Sequence, residues 1–118
     1  MAEGYEPQPT EGVLAIQTNI TTANGLTVVT LRSGKICFLR YYGTLTISVP
    51  NSFTTVVPNI PVPYYTTVEY ETMTTNGLRY TVNTSNTGNN SIDLKFYSRE
   101  SRAIPANTWL TGAFTFIC

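Results

Sequence analysis

The chain has no histidine and a single aspartate, Asp93. Without imidazole, the usual general base near neutral pH is missing, and every Ser-His or Cys-His nucleophile arrangement is excluded. Charge of either sign is scarce: seven basic and seven acidic residues cancel, and charged residues make up 12% of 118, about half the usual share. The seven basic residues form no cluster, so nucleic acid is not expected as a partner, because phosphate binding needs concentrated Lys and Arg. No apolar run approaches the roughly 18 to 20 residues that span a bilayer, so no membrane insertion is expected. The opening "MAEGYEPQPTEG" has neither a positive n-region nor an apolar h-region, and no secretory signal is expected from it. Cys37 and Cys118 are too few and too far apart in sequence to suggest a disulfide framework or a zinc site, and they are predicted to be reduced and buried as small hydrophobes. No glycine-rich loop follows a strand and opens a helix, and no Asp/Glu/His set or calcium-loop spacing occurs. Neither a nucleotide, a metal nor any other cofactor is therefore expected.

What replaces the missing charge is Thr, Asn and Ser, so the surface should be neutral and hydroxyl-rich. Apolar residues make up 42%, enough for one modest core in a chain of 13.0 kDa. Residues 1–12, with two prolines, three glutamates and no periodicity, read as an arm or linker, and residues 13–118 as a single domain.

Within that domain apolar residues alternate with a period of two, and no convincing helical period appears. In "TLTISV", Leu45, Ile47 and Val49 share one face and Thr44, Thr46 and Ser48 the other. "LRYTV" and "SIDLKFYSR" repeat the pattern, with Leu78, Tyr80 and Val82, then Ile92, Leu94 and Phe96, pointing inward. The closing "WLTGAFTFI" has Leu110, Phe114 and Phe116 on one face and Trp109, Ala113 and Ile117 on the other, which predicts a strand covered on both sides. Asn24-Gly25 and Asn76-Gly77 are type I′ hairpin signals. Ser33-Gly34 and "NTGNN" at 86–90 mark two further turns. "VPNIPVPYY" carries Pro58, Pro61 and Pro63, which cannot donate to a central ladder, so it is expected to run extended along an edge or over the sheet ends. Together these features predict an all-β fold: an antiparallel β-sandwich or jelly roll of about eight strands.

Chemistry-bearing residues are few. Glu69 and Glu71 would share one face of a strand about 6.6 Å apart, a separation compatible with paired glycosidase carboxylates; the simpler reading is a wet strand face. The matches to the N-glycosylation pattern at Asn19, Asn83 and Asn89 are expected by chance in so Thr- and Asn-rich a chain. Aromatic residues with polar neighbours remain. "FLRYYG" supplies Arg40 and Tyr42, "VPYYTT" supplies Tyr65, and "YSRESR" supplies Tyr97, Arg99, Glu100 and Arg102, close in sequence to Trp109. Aromatic faces stack on the C–H surfaces of sugars, while Arg and Glu make charge-assisted hydrogen bonds to hydroxyls or to phosphate on a cell-wall polymer. These eight residues are the candidate saccharide site.

The order of the pieces resembles a known family. "NGLTVVTLRSGKICFLRYYGTLTI", "TTVVPNIPVP", "YETMTTNGLRYTVNTSNTGNNSIDLKFYSR" and "IPANTWLTGAFTFI" follow one another as in the C-terminal β-domain of bacteriophage and prophage tail-fibre or baseplate proteins. There an R-x-G-K strand opens the domain, a proline-bearing segment crosses over, and a short strand with a Trp-Leu pair, Gly and a terminal aromatic closes it. The resemblance covers residues 24–118. It implies a compact sandwich head, usually a homotrimer, carried on the virion tail or baseplate beside other tail proteins and made in the bacterial host cytoplasm. It also implies a non-enzymatic role, the recognition of a host cell-surface saccharide. Exposed apolar positions point to the homotrimer as well. A structural cap with only protein partners stays open as an alternative, and a glycan-cleaving enzyme using Glu69 and Glu71 is the weakest of the three readings.

Overall fold

A computed structural model describes residues 16–62, 67–88 and 90–117. The arm expected at residues 1–12 and the first residues of the domain lie outside that range. Eight strands and no helix are present among the described residues: β1 Gln17–Ala23, β2 Leu26–Ser33, β3 Ile36–Thr44, β4 Thr54–Pro61, β5 Glu69–Met73, β6 Arg79–Asn86, β7 Ser91–Ser98 and β8 Trp109–Ile117. They form two antiparallel four-stranded sheets, in the orders β1-β2-β3-β8 and β4-β7-β6-β5. Each sheet is a three-stranded meander to which one strand is added from elsewhere in the chain, a Greek-key arrangement. The expected sandwich of about eight strands is thus what the chain builds.

Turn chemistry sets the registers. Asn24 (φ 51°) and Gly25 (φ 88°) both occupy the left-handed region, as a type I′ turn requires, and Ala23 pairs with Leu26. A Cβ on Gly25 would lie 1.8 Å from the Thr44 carbonyl oxygen, so this position needs glycine for space as well as for angle. Asn76-Gly77 behaves otherwise: Gly77 alone has positive φ, and Thr74 closes a longer loop by accepting from Gly77 N–H and donating its own N–H to Leu78 O. The Thr74 hydroxyl also accepts from Leu78 N–H, which favours this wider loop over the expected I′ turn.

The alternation in "TLTISV" holds for burial but not for pairing. Leu45 and Val49 are fully buried, yet β3 ends at Thr44, and the segment is held by backbone bonds to Thr108, Asn107 and Ile104 with a single bridge, Val49–Ile104. The proline-bearing segment runs as β4 along a sheet edge, with register shifts on either side of Val57 and Asn59 at φ 57°. Tyr64 and Tyr65 lie outside the described residues.

The core fills the space between the sheets, with Leu26, Val28, Leu39 and Leu110 from one meeting Val57, Ile60, Val82, Leu94 and Phe96 from the other. Tyr41 of β3 reaches across to Tyr80 of β6, their hydroxyls 2.8 Å apart and both side chains fully buried. Phe96 packs edge-on to Tyr41 at 5.3 Å. Cys37, buried on the inner side of β3, is disulfide-bonded, which corrects the expectation of a reduced thiol.

Candidate functional site

The sheet β4-β7-β6-β5 turns one face outward, and alternation decides what it shows. Asp93, Lys95 and Tyr97 of β7 point out between buried Ile92, Leu94 and Phe96; Arg79, Thr81 and Asn83 of β6 and Glu69 and Glu71 of β5 complete the face. At the β7 end three side chains form a row. Phe53, 44% exposed, meets Tyr97 edge-to-face at 5.1 Å, and the Arg99 guanidinium lies 4.4 Å over the Tyr97 ring. Arg99 Nε donates to Thr81 Oγ1 at 2.7 Å. Thr81 points outward by register and is nevertheless buried, because this guanidinium covers it.

The row is held from below. Asn51 donates to Ser98 O and Glu100 O, which seats Phe53 beside Tyr97. Ser98 fixes the following loop, accepting from Glu100 N–H and donating to Arg102 O. Beside the row sits a second group centred on Arg79. Its backbone N–H and Nε donate to Glu100 Oε2 at 2.9 and 3.2 Å, its Nη2 donates to Arg99 O at 3.1 Å, and its Nη1 lies 3.6 Å from Glu71. These contacts hold the Glu100 carboxyl below the usual carboxylate range: the Arg79 N–H contributes most, then the Arg79 guanidinium. An open depression of about 560 Å³, lined by Glu71, Thr72, Met73, Thr74 and Arg79, continues this surface.

Glu69 and Glu71 do share one face of β5, and each has a neighbour: Glu69 accepts from Asn83 Nδ2 and Glu71 pairs with Arg79. Among the described residues no group of three His, Cys, Asp or Glu side chains could hold a metal ion.

The eight sequence candidates therefore do not form one set. Tyr97, Arg99 and Glu100 come together, with Arg102 exposed on the adjoining loop. Arg40, Tyr42 and Trp109 lie on the outer face of the other sheet, across the sandwich. There Arg40 stands 4.8 Å over the Tyr42 ring, and Trp109, 44% exposed, pairs with Thr44. Tyr65 lies outside the described residues. Phe53, Arg79 and Thr81 are the members that sequence reasoning missed. Arg79 was visible as an outward residue of "LRYTV", one step diagonal from Glu71 once the hairpin register is known; Phe53 gave no local signal.

Comparison of the chain with protein-family models, with curated proteins and with solved structures found no match. What the fold defines is a class, the antiparallel β-sandwich with Greek-key sheets. Any functional reading rests on the side chains this frame presents and on the order of its sequence motifs.

Proposed function

We propose that this chain is the head domain of a bacteriophage or prophage tail fibre or baseplate, a non-enzymatic homotrimer on the virion that binds a host cell-surface saccharide. The row Phe53–Tyr97–Arg99, flanked by the Arg79–Glu100 pair, is the observation that carries the saccharide reading. The exposed Phe53 ring, set edge-on to Tyr97, offers stacking area for a pyranose, and the adjacent guanidiniums and carboxylates offer charge-assisted bonds to hydroxyls or phosphate at positions already fixed by the protein. Both carboxylates of the group are engaged with Arg79, which suits binding better than proton transfer. The motif order over residues 24–118 supports the tail assignment, and a disulfide at Cys37 suits a particle that works outside the cell.

The test is binding of the purified domain to a glycan array and to host envelope fractions. Arg99→Ala and Tyr97→Ala should each lower affinity by at least about fivefold, since exposed stacking and charged hydrogen bonds are worth ~1 to 3 kcal/mol each. No binding to any envelope fraction, or unchanged binding in both variants, would overturn the reading. The structural alternative, a cap with only protein partners, is favoured by the outer face of the other sheet, where Arg40 is the single charge among the described residues, and predicts normal adsorption in both variants.

A further inference from the structure

The two sheets differ in how they treat their outer faces and edges. The β4-β7-β6-β5 sheet is guarded: its β4 edge carries Pro58, Pro61 and register shifts, and its β5 edge is five residues long with Glu69 and Glu71 outward. Prolines, bulges, short length and charge are the devices by which sheets avoid pairing with other chains. The β1-β2-β3-β8 sheet has none of them. Its edge strands, "QTNITTA" and the nine-residue "WLTGAFTFI", contain no charge and no proline.

Its outer face is equally unguarded. The registers align Ile20, Val29, Arg40 and Ala113 in one row, Thr18, Leu31, Phe38 and Thr115 in the next, and Ile36 with Ile117 beyond. Ile20, Val29, Leu31, Phe38, Ile36 and Ile117 thus form a diagonal apolar stripe from β1 to β8. Four of them are exposed: Ile20 at 67%, Ile117 at 53%, Ile36 at 49% and Phe38 at 36%. Among the described residues, Arg40 is the single charge on this face.

We propose that a second copy of this chain docks on the outer face of the β1-β2-β3-β8 sheet, with the outer edge of β8 as the continuation of that contact. Four strands about 4.8 Å apart and roughly eight residues long give a projected face of ~500 Å². Side-chain relief and the β8 edge bring the accessible surface to the ~600 to 1,000 Å² per partner that a stable interface buries. A small ligand would leave most of the stripe wet. The partner surface must be close to neutral and apolar, rimmed by hydroxyls, and this description fits the same face of another copy. The opposite face, with its carboxylates and guanidiniums, does not fit it. Arg40 is kept off the stripe by stacking on Tyr42. Contact of the same face on two copies closes as a pair, so this inference stands apart from the homotrimer of the proposed function and does not depend on the saccharide site.

Sedimentation and light scattering on the full chain test it. The wild type should assemble at micromolar concentration, and Phe38→Glu should weaken assembly by at least about tenfold, as charge at the centre of a buried contact does. Ile20→Lys, on another strand and at a position too exposed to disturb the core, should weaken it as well and decides the matter if Phe38→Glu fails to fold. Lys95→Glu on the opposite face should assemble like the wild type. A monomeric wild type, or folded Phe38→Glu and Ile20→Lys chains that assemble normally, would overturn the proposal. Loss of saccharide binding with assembly intact would fall on the function reading alone.

Discussion

Tyr41 and Tyr80 bridge the two sheets through one buried hydroxyl pair, and removing one hydroxyl tests whether that pair specifies the sandwich. Tyr80→Phe removes the Tyr41 hydroxyl's partner at 2.8 Å and leaves it only the neighbouring Tyr70 hydroxyl, which costs about 1 to 3 kcal/mol, a sizeable fraction of the ~5 to 15 kcal/mol that holds a domain together. The Tm should fall by roughly 4 °C per kcal/mol for a chain of this length. Tyr41→Phe/Tyr80→Phe removes both polar groups and should cost less than the sum of the single changes, a coupling of about 1 kcal/mol. Alkaline pH probes the same pair. Burial raises both hydroxyls: Tyr80 is pushed up to about 12, and Tyr41 higher still, by burial first and then by the neighbouring Tyr80 and Tyr70. The folded state keeps these protons above pH 10 while the unfolded chain releases them, so the stabilisation is complete below pH ~10 and is lost as pH rises toward the folded values. Each tyrosine contributes about 1.4 kcal/mol of loss per pH unit, so the two together remove about 5 kcal/mol between pH 10 and 12. Denaturant titrations across that range, read with tyrosinate absorbance, should show these two tyrosines ionising only with unfolding. The double variant should lose most of the alkaline slope. Normal ionisation of all tyrosines near pH 10 in a folded chain, or strictly additive single variants, would refute the reasoning.

Gly112→Ala places a Cβ 2.4 Å from Tyr41 Oη and 2.6 Å from its Cζ. It should cost about 1 to 3 kcal/mol by overpacking a buried ring, with part of the loss recovered in Gly112→Ala/Tyr41→Phe, measured by thermal unfolding. Because Arg79 holds Glu100 below the ordinary carboxylate range, the order that pair gives the Arg99 loop is present above that range and lost only as pH falls below it, through the lowered value. An NMR titration should show Glu100 protonating below the ordinary carboxylate range and the Arg99 and Tyr97 resonances moving with it, whereas Glu100→Gln should remove the transition.

Much of this fold is written in short-range pattern. Inward Tyr80, Val82, Ile92, Leu94 and Phe96 were legible from alternation alone, and the first hairpin from Asn24-Gly25, because a dipeptide that tolerates two positive φ angles carries its turn type with it. Pattern misled where another contact satisfied the same burial. Leu45 and Val49 alternate like strand residues, but their backbone is bonded to residues 104–108, and no ladder forms. At residues 74–78 the Thr74 hydroxyl captured Leu78 N–H, and the turn widened.

The site was legible only in part, for a reason that also explains its form. Arg99 over Tyr97 and Arg40 over Tyr42 are neighbours two residues apart on extended chain, so each pair could be read locally. What no local rule supplies is the sheet to which each pair belongs: β3 joins β2 and β8, whereas β7 joins β4 and β6, and this strand order sends the two pairs to opposite faces. Strand order also surrounds them differently. β5 and β6 set Glu71, Thr81 and Arg79 around Arg99, whereas β1, β2 and β8 set Ile20, Val29 and Ala113 around Arg40. An Arg on an aromatic ring amid fixed carboxylates can discriminate a polar ligand, whereas the same pair amid aliphatic side chains leaves a face that water covers poorly. One local motif, placed twice by topology, thus gives the sandwich one polar face with fixed charges and another that is largely apolar.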